Sequence, residues 1–364
     1  MATYRSLKDI DWAMLLLALL LCLIGILQIY SATSATPAWK DSWWKQIIFL
    51  GSGLFLMWLI MVIDYHTLIG QAPVFYVITL ILLVATVFMG KTVFGSTRWI
   101  PLPLGFRFQV SEFAKLVIVL LVARYLTELK KETVEFWDVI RMIGLVGLPM
   151  VLVMKQPDLG TSLTYLPPMI VGIFLAGLRW QYIVGFLLLA GIALPVGYMM
   201  LLPYQKARLE TVINPYADPQ GAGYQVIQSK IAVGQGGMWG RGATRGTQTQ
   251  LKFLPVPHTD FIFSTFAEEH GFVGVVVTLG LYFLLIMQIV QNAQTAPDRA
   301  GMYLCMGVAS VLLLHLLVNV GMVVGQMPVT GIPLPLLSYG GSSMWSIFLM
   351  LGLVNNVRLR RFVN

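Results

Sequence analysis

Charged side chains are scarce in this sequence. Aspartate, glutamate, lysine and arginine make up 11% of its 364 residues, whereas an ordinary soluble domain carries about 25%. Hydrophobic residues make up 57%, and the mean hydropathy is +0.79. A composition so poor in charge excludes an ordinary soluble domain and indicates a chain that lies in a lipid bilayer.

Several kinds of catalytic and binding motif are also missing. There are two cysteines, Cys22 and Cys305, and each lies inside an apolar run, which is typical of small buried side chains. The sequence has no GxxxxGK[ST] phosphate loop, no GxGxxG motif after a strand and no HExxH motif. These absences argue against ATP-driven transport and zinc-dependent hydrolysis, so the energy for a reaction must come from its substrate or from a gradient.

The net charge of +8 does not point to nucleic acid. No basic patch accompanies a helix suited to reading a nucleic-acid groove. Basic residues beside membrane spans, by contrast, are attracted to anionic lipid headgroups and help to orient the spans. We therefore expect membrane lipids, and no nucleic acid, as partners.

Long apolar windows recur along the whole chain. A spanning helix needs about 20 mostly apolar residues, and ten windows meet this demand: 12–31, 44–63, 73–90, 111–128, 138–154, 159–177, 180–202, 261–290, 301–325 and 337–357. Prolines interrupt the fifth to seventh windows and predict kinks or breaks there. Residues 1–364 are thus predicted to form a single polytopic all-α integral membrane domain. A signal-peptidase site within residues 31–35 is the alternative for the first window, which is long for a signal sequence.

Basic residues set the expected orientation. Lys and Arg concentrate in short cytoplasmic loops, and placing the N-terminus inside puts most of them there, including Arg358, Arg360 and Arg361. Both termini are therefore predicted to be cytoplasmic. The long hydrophilic segment 203–260, between the seventh and eighth spans, is then an extracytoplasmic loop.

This long loop has the composition of an ordered segment. Its stretch Gly223–Val233 shows apolar spacing typical of a short amphipathic helix at a membrane interface, and the glycine-rich stretch Gly234–Gly242 permits close backbone approach to a neighbour. A flexible linker is the alternative interpretation. Met238 and Trp239 in its middle favour order.

Ionisable residues cluster where the long loop meets the eighth span, in FLPVPHTDFIFSTFAEEHGFVG, residues 253–274. A carboxylate at this dehydrated boundary should have a raised pKa, which suits Asp260 to general base catalysis. Alternatively, Asp260 or Thr259 simply caps the helix. Glu268 and Glu269 lie too far inside for capping and need a partner or a cavity.

A second group of charges precedes and begins the fourth span, in STRWIPLPLGFRFQVSEFAKL, residues 96–116. Glu112 and Lys115 are three residues apart, so they share a helix face and can neutralise each other. Alternatively, Glu112 holds a partner from another helix while Lys115 faces an anionic substrate group. Arginines grip diphosphate oxygens in a forked geometry, and the arginines expected on the same side are Arg98, Arg107 and Arg208.

Three further sequence features give weaker indications of a functional site. Asp158 in KQPDLGTS is accounted for by a turn and a helix start, although it too lies at the outer face. The run 325–344 mixes prolines with glycines at membrane depth, where irregular backbone must line a cavity or be buried, which favours a substrate groove. His315 and Asn319, four residues apart, are expected to make interhelical hydrogen bonds.

Five motifs, in order, carry a family resemblance: RWI…QVSEFAK, QPDLGTS, DPQGAGYQVIQSKIAVGQGG, LPVPHTDFIF…AEEHG and GIPLPLLSYGGSS. Together they resemble the SEDS family (shape, elongation, division, sporulation), and most of all its elongation members, over essentially the whole chain. Val110 stands where the family usually has proline, and Val256 where many members have glutamate. Neither departure removes a motif carboxylate.

The resemblance implies a peptidoglycan glycosyltransferase that polymerises lipid II on the outer face of the bacterial cytoplasmic membrane, for cell elongation and shape. Its implied partner is a class B penicillin-binding protein, a transpeptidase. Asp260 matches the catalytic carboxylate of the family, and Glu112 and Lys115 match its important pair. Supporting roles in binding or catalysis are expected for Arg98, Arg208, Gln109, Ser111, His258, Thr259 and Asp158.

A divalent cation, Mg²⁺ or Mn²⁺, is an allowed cofactor at the departing diphosphate, and no nucleotide is expected. Three other functions stay open: a lipid II flippase, which needs a path across the bilayer rather than a base; a non-catalytic scaffold for the penicillin-binding protein; and a division role within the same family.

Overall fold

The computed structural model describes residues 9–89, 91–93, 96–101, 107–129, 133–182, 203–221 and 223–361, with isolated positions between 184 and 201. Most of these residues are helical. The helices are α1 (Trp12–Thr33), α2 (Ser42–Val62), α3 (Tyr65–Gly70), α4 (Ala72–Met89), α5 (Val110–Glu128), α6 (Phe136–Met154), α7 (Leu159–Leu163), α8 (Leu166–Leu175), α9 (Pro203–Ile213), α10 (Tyr224–Gly236), α11 (Thr247–Gln250), α12 (Ile262–Gln294), α13 (Arg299–Val323) and α14 (Gly341–Leu359).

A small antiparallel sheet connects α4 to α5. Its strands β1 (Lys91–Val93), β2 (Ser96–Pro101) and β3 (Arg107–Phe108) lie in the order β1-β2-β3. In the β2–β3 pair, Ile100 faces Phe108 and Pro101 faces Arg107. The sheet therefore holds the residues just before α5 beside the start of that helix.

The long apolar helices coincide with the predicted apolar windows. Every window except 180–202 contains a described helix, and most of 180–202 lies outside the described residues. Among the described residues, five helical segments are long and apolar enough to cross a membrane: Trp12–Thr33, Pro37–Val62, Phe136–Met154, Ile262–Gln294 and Arg299–Val323. The prediction of an all-α, multi-pass membrane protein is confirmed.

Prolines shape the helices in two ways. Pro149 lies inside α6 without ending it. The window 159–177 is divided into α7 and α8, and Pro167 and Pro168 stand in the first turn of α8. Proline is tolerated there because the amide hydrogens of a first turn have no partner within the helix.

The interior of the bundle is built around α13 and α14. Helix α14 packs along α2, and α13 packs against α5, α8 and α12. Backbone approach is close where α1 passes the segment before α14, since a Cβ on Gly25 would lie 2.7 Å from Leu337 Cα. An apolar helix that is covered on most sides is a core helix rather than a lipid-facing one, and α14 is buried in this way.

The long loop folds back along α12. Ser229 of α10 shares a hydrogen bond of 2.8 Å with Ser264 near the start of α12, and a Cβ on Gly236 would meet the Ala267 carbonyl at 2.0 Å. Helix α10 thus runs beside α12 in the same direction. The chain then turns and returns through α11 to Asp260.

Candidate functional site

A cavity of about 650 Å³ opens at the end of the bundle where the long loop returns. We call it the polar cavity. It brings together residues from β2, the start of α5, α9 and the segment that leads into α12. Among the residues selected from the sequence, its wall includes Arg98, Arg107, Gln109, Glu112, Arg208, His258, Thr259 and Asp260.

Three selected residues lie behind this wall. Ser111, Lys115 and Asp158 are buried and are not lining residues of the cavity in the described part of the chain. Ser111 is held by its neighbours, since its carbonyl accepts a hydrogen bond of 2.9 Å from the Tyr165 hydroxyl. These residues can affect a ligand only through the side chains they support.

Asp260 is held at the cavity by its backbone. Its carbonyl accepts a hydrogen bond of 3.0 Å from Asn319 Nδ2, and the preceding carbonyl, that of Thr259, accepts one of 2.7 Å from Ser338 Oγ. Its side chain faces Gly331, where an added Cβ would lie 3.3 Å from Asp260 Oδ2. The neighbouring glycine leaves room beside the carboxylate.

The helix-cap interpretation of Asp260 is not what the structure shows. Phe261 occupies the N-cap position of α12, and no side-chain hydrogen bond caps the helix there. The Asp260 carboxylate instead belongs to a residue that lines the polar cavity. The carboxylate is therefore directed to the cavity rather than to the helix terminus.

Burial raises the pKa of Asp260 above its ordinary range. Removal from water disfavours the charged form of a carboxylate, and the nearby Asp158 acts in the same direction. The positive charges of Arg98 and Arg208 oppose the rise. Asp260 remains partly exposed to the cavity, so it combines access with a raised pKa, as a general base requires.

Asp158 orients Arg98. Its Oδ1 lies 2.9 Å from Arg98 Nη1, and its Oδ2 accepts hydrogen bonds from Thr161 Oγ1 at 2.8 Å and from Gln109 Nε2 at 3.2 Å. Asp158 also caps α7 by accepting from the Thr161 amide. The predicted turn and helix start are thus present, and the same carboxylate fixes a cavity arginine.

Glu112 and Lys115 form a buried pair. Lys115 Nζ lies 2.7 Å from Glu112 Oε2 and 3.1 Å from His315 Nε2. His315 Nδ1 lies 3.0 Å from the Pro333 carbonyl, which can only accept, so Nδ1 carries the hydrogen and Nε2 accepts from Lys115. The self-neutralising interpretation of the pair is the one observed, and Lys115 faces His315 rather than the cavity.

His258 is an aromatic part of the cavity wall. Its ring centroid lies 4.6 Å from that of Trp39 and 5.6 Å from that of Tyr339. Burial lowers its pKa to about 4, so the ring is neutral near pH 7. It can therefore position a ligand through contact and hydrogen bonding, but it does not supply a cation.

The carboxylates near the polar cavity are the side chains that could ligate a metal ion. Across the described ranges, no three His, Cys, Asp or Glu side chains come together as metal ligands. Asp158 and Glu112 already bind Arg98 and Lys115, which leaves Asp260 as the carboxylate a cation would find. A divalent cation that accompanies a diphosphate stays a prediction, and no chemical step is assigned to it.

Glu268 and Glu269 are anchors of the long loop. Glu268 Oε1 accepts from the Gln248 amide at 2.8 Å and its Oε2 from Thr249 Oγ1 at 3.2 Å. Glu269 accepts from Ser31 Oγ at 2.5 Å and from Gln28 Nε2 at 3.2 Å. The two carboxylates join α12 to α11 and to α1, and so hold the chain that leads to Asp260.

Sequence reasoning missed the supporting role of Asn319 and Ser338. Asn319 was expected only to bond another helix, yet it holds the Asp260 carbonyl and, at 2.8 Å, the Ile332 carbonyl. A buried asparagine within a span is a signal that some backbone or side chain needs it. Ser338, in an irregular run, carried no such signal.

Comparisons with known proteins agree with this architecture. The FtsW/RodA/SpoVE family model, described as cell cycle protein, matches residues 11–361. The peptidoglycan glycosyltransferase MrdB of Escherichia coli K12 is 38% identical over 366 residues, which cover 99% of this chain and 96% of that protein.

Two solved structures are similar over nearly their full length. One is described as showing structural coordination of polymerization and crosslinking by a peptidoglycan synthase complex. It is 35% identical to this chain with a TM-score of 0.84, and the match covers 98% of this chain and 99% of the chain in that structure. The other is the rod shape determining protein RodA of Thermus thermophilus, which is 30% identical to this chain with a TM-score of 0.72. The match covers 97% of this chain and 98% of RodA.

Proposed function

Because this chain belongs to the FtsW/RodA/SpoVE family of cell cycle proteins, we propose that it is a peptidoglycan glycosyltransferase that polymerises lipid II, with Asp260 as its catalytic base. The resemblance to the SEDS family, another name for the same group, is confirmed. The observation that carries the proposal is the Asp260 carboxylate, which faces the polar cavity with Arg98 and Arg208 nearby.

Asp260 would act on the acceptor sugar. Its carboxylate accepts the proton of the acceptor hydroxyl while that oxygen attacks the anomeric carbon of the donor. The new glycosidic bond forms as the bond between the anomeric carbon and the polyprenyl diphosphate breaks, and the diphosphate leaves with the electron pair. The donor is already activated, so no nucleotide is needed.

The arginines of the polar cavity would hold the diphosphate. Arg98, Arg107 and Arg208 line it, and a guanidinium matches phosphate oxygens in a bidentate geometry. Arg98 is oriented by Asp158. Lys115 supports this wall indirectly, because it binds Glu112 on the cavity wall and His315 beside the Pro333 carbonyl.

An apolar opening of about 380 Å³ is suited to the lipid part of the substrate. It lies beside β3, α5 and α14, and its lining includes Phe108, Phe113, Trp345 and Leu349. Phe108 directly follows Arg107 of the polar cavity. A substrate with a charged head and a polyprenyl tail would therefore find both kinds of surface next to each other.

The proposal extends to place and partner. We infer that the polar cavity faces the outer side of the bacterial cytoplasmic membrane, where lipid II presents its sugars, and that a class B penicillin-binding protein cross-links the product. The similarity to a structure described as a peptidoglycan synthase complex supports such a partner. The elongation role is favoured by the similarity to RodA.

The decisive experiment is polymerisation of purified lipid II by the detergent-solubilised chain with its penicillin-binding partner. The variants are Asp260→Asn and Glu112→Gln, with Asp218→Asn as the matched control, because Asp218 is an exposed carboxylate of the same loop. Each is assayed with divalent cation present and chelated. We expect glycan ladders from wild type and Asp218→Asn, and none from a folded, partner-bound Asp260→Asn.

Other outcomes distinguish the alternatives. Equal ladders from wild type and Asp260→Asn would remove Asp260 from catalysis. Transport of fluorescent lipid II by Asp260→Asn proteoliposomes at the wild-type rate, with no wild-type polymerisation, would favour a flippase. Loss of ladders on chelation, restored by Mg²⁺ or Mn²⁺, would place a cation at the diphosphate.

A further inference from the structure

The turn that follows α10 exposes two large apolar side chains. We define the Trp239 turn as residues 237–242. Within it, Met238 is 58% exposed and Trp239 is 78% exposed. Exposed large apolar side chains next to each other on an extended loop are a feature of interaction surfaces.

The Trp239 turn is fixed to α12 just after its break at Gly271. The Phe272 amide donates to the Gly237 carbonyl at 2.9 Å, and the Val273 amide donates to the Met238 carbonyl at 3.1 Å. Gly271 has φ of 65° and interrupts α12, and a Cβ there would lie 2.2 Å from the Gly240 nitrogen. The height of Trp239 along α12 is therefore set by backbone contacts.

The environment of α12 changes at this same height. From Ile262 to Glu269 the side chains are buried in protein. After Gly271 they become exposed apolar groups, beginning with Phe272 at 58% and continuing with Val276 and Val277. The remaining part of α12, to Gln294, is about 34 Å long at 1.5 Å per residue, which matches a hydrocarbon thickness of about 30 Å.

The edge of the hydrocarbon layer therefore lies near Phe272, level with the Trp239 turn. Tryptophan is enriched at this boundary because its ring is amphipathic. Arg241 and Arg245 follow in the chain and are exposed, and Arg241 Nε donates to the Gln235 carbonyl at 3.2 Å. Basic side chains beside an aromatic at this boundary are attracted to anionic headgroups.

We propose that the Trp239 turn docks on the lipid bilayer, with Met238 and Trp239 at the boundary of headgroups and acyl chains and with Arg241 and Arg245 on lipid phosphates. The docking follows from the position of the turn on α12 and is independent of catalysis. Through Glu268 and Glu269, it also holds the returning chain and Asp260 at a constant height above the membrane.

The test places a fluorophore on the full chain in lipid nanodiscs. Trp239→Cys is labelled with an environment-sensitive dye, and Tyr216→Cys is the matched control. Tyr216 is 71% exposed and lies before α10, whose 13 residues place it about 20 Å from the turn. Cys22 and Cys305 are fully buried and do not compete for the label.

Two quenchers report the environment of each label. We expect nitroxide lipids to quench the label at position 239 strongly and aqueous iodide to quench it weakly, with the reverse at position 216. In discs with anionic lipid, Arg241→Gln with Arg245→Gln should reduce the nitroxide quenching at 239.

Two outcomes would overturn the proposal. Iodide quenching at 239 as strong as at 216, without quenching by nitroxide lipid, would place the turn in solvent. Protection of the label from both quenchers only after addition of the penicillin-binding partner would make the turn a protein interface instead. Because these readouts do not involve polymerisation, failure here is distinguishable from failure of the proposed activity.

Discussion

Two aspartates near the polar cavity show how neighbours decide the role of a carboxylate. Both carboxylate oxygens of Asp158 have partners, which are Arg98, Thr161 and Gln109. The carboxylate of Asp158 therefore holds neighbouring side chains in place. Asp260 is subject to the positive charges of Arg98 and Arg208, which oppose the rise of its pKa. Its raised pKa and access to the cavity make it the carboxylate that can take a proton.

This difference predicts an acid limb in the pH profile of polymerisation. A general base works only when deprotonated, so activity should fall as pH drops through the pKa of Asp260. Burial raises this pKa, and the fall should therefore begin at a higher pH than for an ordinary aspartate. Initial rates of lipid II polymerisation across the acidic range check this, and a flat profile would count against Asp260 as the base.

Arg98 should affect the pH at which the polymerisation activity falls. Its positive charge lowers the pKa of Asp260, so Arg98→Gln should move the acid limb to higher pH, whatever it does to the maximal rate. Arg98→Lys keeps the charge and should leave the limb close to its original position. An unmoved limb in Arg98→Gln would show that another group controls the profile.

The buried Glu112–Lys115 pair predicts non-additive effects on stability. Removing one partner leaves an uncompensated buried charge, which costs about 3–5 kcal/mol. Glu112→Gln and Lys115→Gln should each lower the free energy of unfolding in detergent by this order. The double variant should lose less than the sum of the two, because neither charge is left alone; strict additivity would mean that the pair is not coupled.

At the scale of elements, α12 is two helices joined at Gly271. The first part, from Ile262, is surrounded by protein, whereas the part after Gly271 presents apolar side chains outward. The break exposes amide hydrogens that the Trp239 turn then satisfies. A buried backbone amide must find a partner, so the break and the turn depend on each other.

Gly271 is predicted to be irreplaceable, unlike Gly280 in the same helix. Gly271→Ala would strain a backbone with φ of 65° and would clash with the Gly240 nitrogen, so a loss of at least about 1–3 kcal/mol in stability is expected. Gly280→Ala meets nothing within 4 Å and should be neutral or gain about 0.5–1 kcal/mol. Thermal unfolding in detergent measures both.

The loop itself gives a second readout. In Gly271→Ala, the amides of residues 237–250 should exchange with deuterium faster than in wild type, because the turn can no longer pack on α12. In Gly280→Ala their exchange should be unchanged. Equal protection in both variants would show that the turn does not require the break.

At the scale of the molecule, the start of α1 and the end of α14 meet on one side of the bundle. Arg358 Nη1 lies 3.1 Å from Asp11 Oδ2, and the Asp11 amide donates to Asn355 Oδ1 at 2.8 Å. Arg360 Nε lies 3.0 Å from Asp64 Oδ2, at the connection of α2 and α3. The polar cavity lies on the opposite side, since Asn319 near the far end of α13 bonds the Asp260 carbonyl.

We predict that the side with these ion pairs is cytoplasmic, as basic residues in short loops are retained there. In intact cells, a membrane-impermeant maleimide should label Tyr216→Cys but not His66→Cys, since His66 is exposed on the side where α1 begins and α14 ends. Permeabilised cells should label both, which controls for reactivity. Labelling of His66→Cys alone in intact cells would invert the orientation and place the polar cavity inside.

The sequence by itself determined the membrane class and the positions of the long apolar helices, and it singled out Asp260 as the candidate base. Helix positions follow from the length and apolar content of each window, which are local properties that the bilayer imposes. Asp260 could be found because a carboxylate beside a span is costly and so needs a reason. Interactions within one helix turn, such as that of Glu112 with Lys115, were also within reach.

The tertiary structure alone decided which partners these residues have. Lys115 faces His315, Glu269 binds Ser31 and Asn319 holds Asp260, and each of these contacts joins segments that are far apart in the chain. No local pattern encodes such pairs, because they arise only when helices pack. The division of α12 at Gly271 was hidden for the same reason, since glycine is common in spans and only the docked turn makes its left-handed conformation necessary.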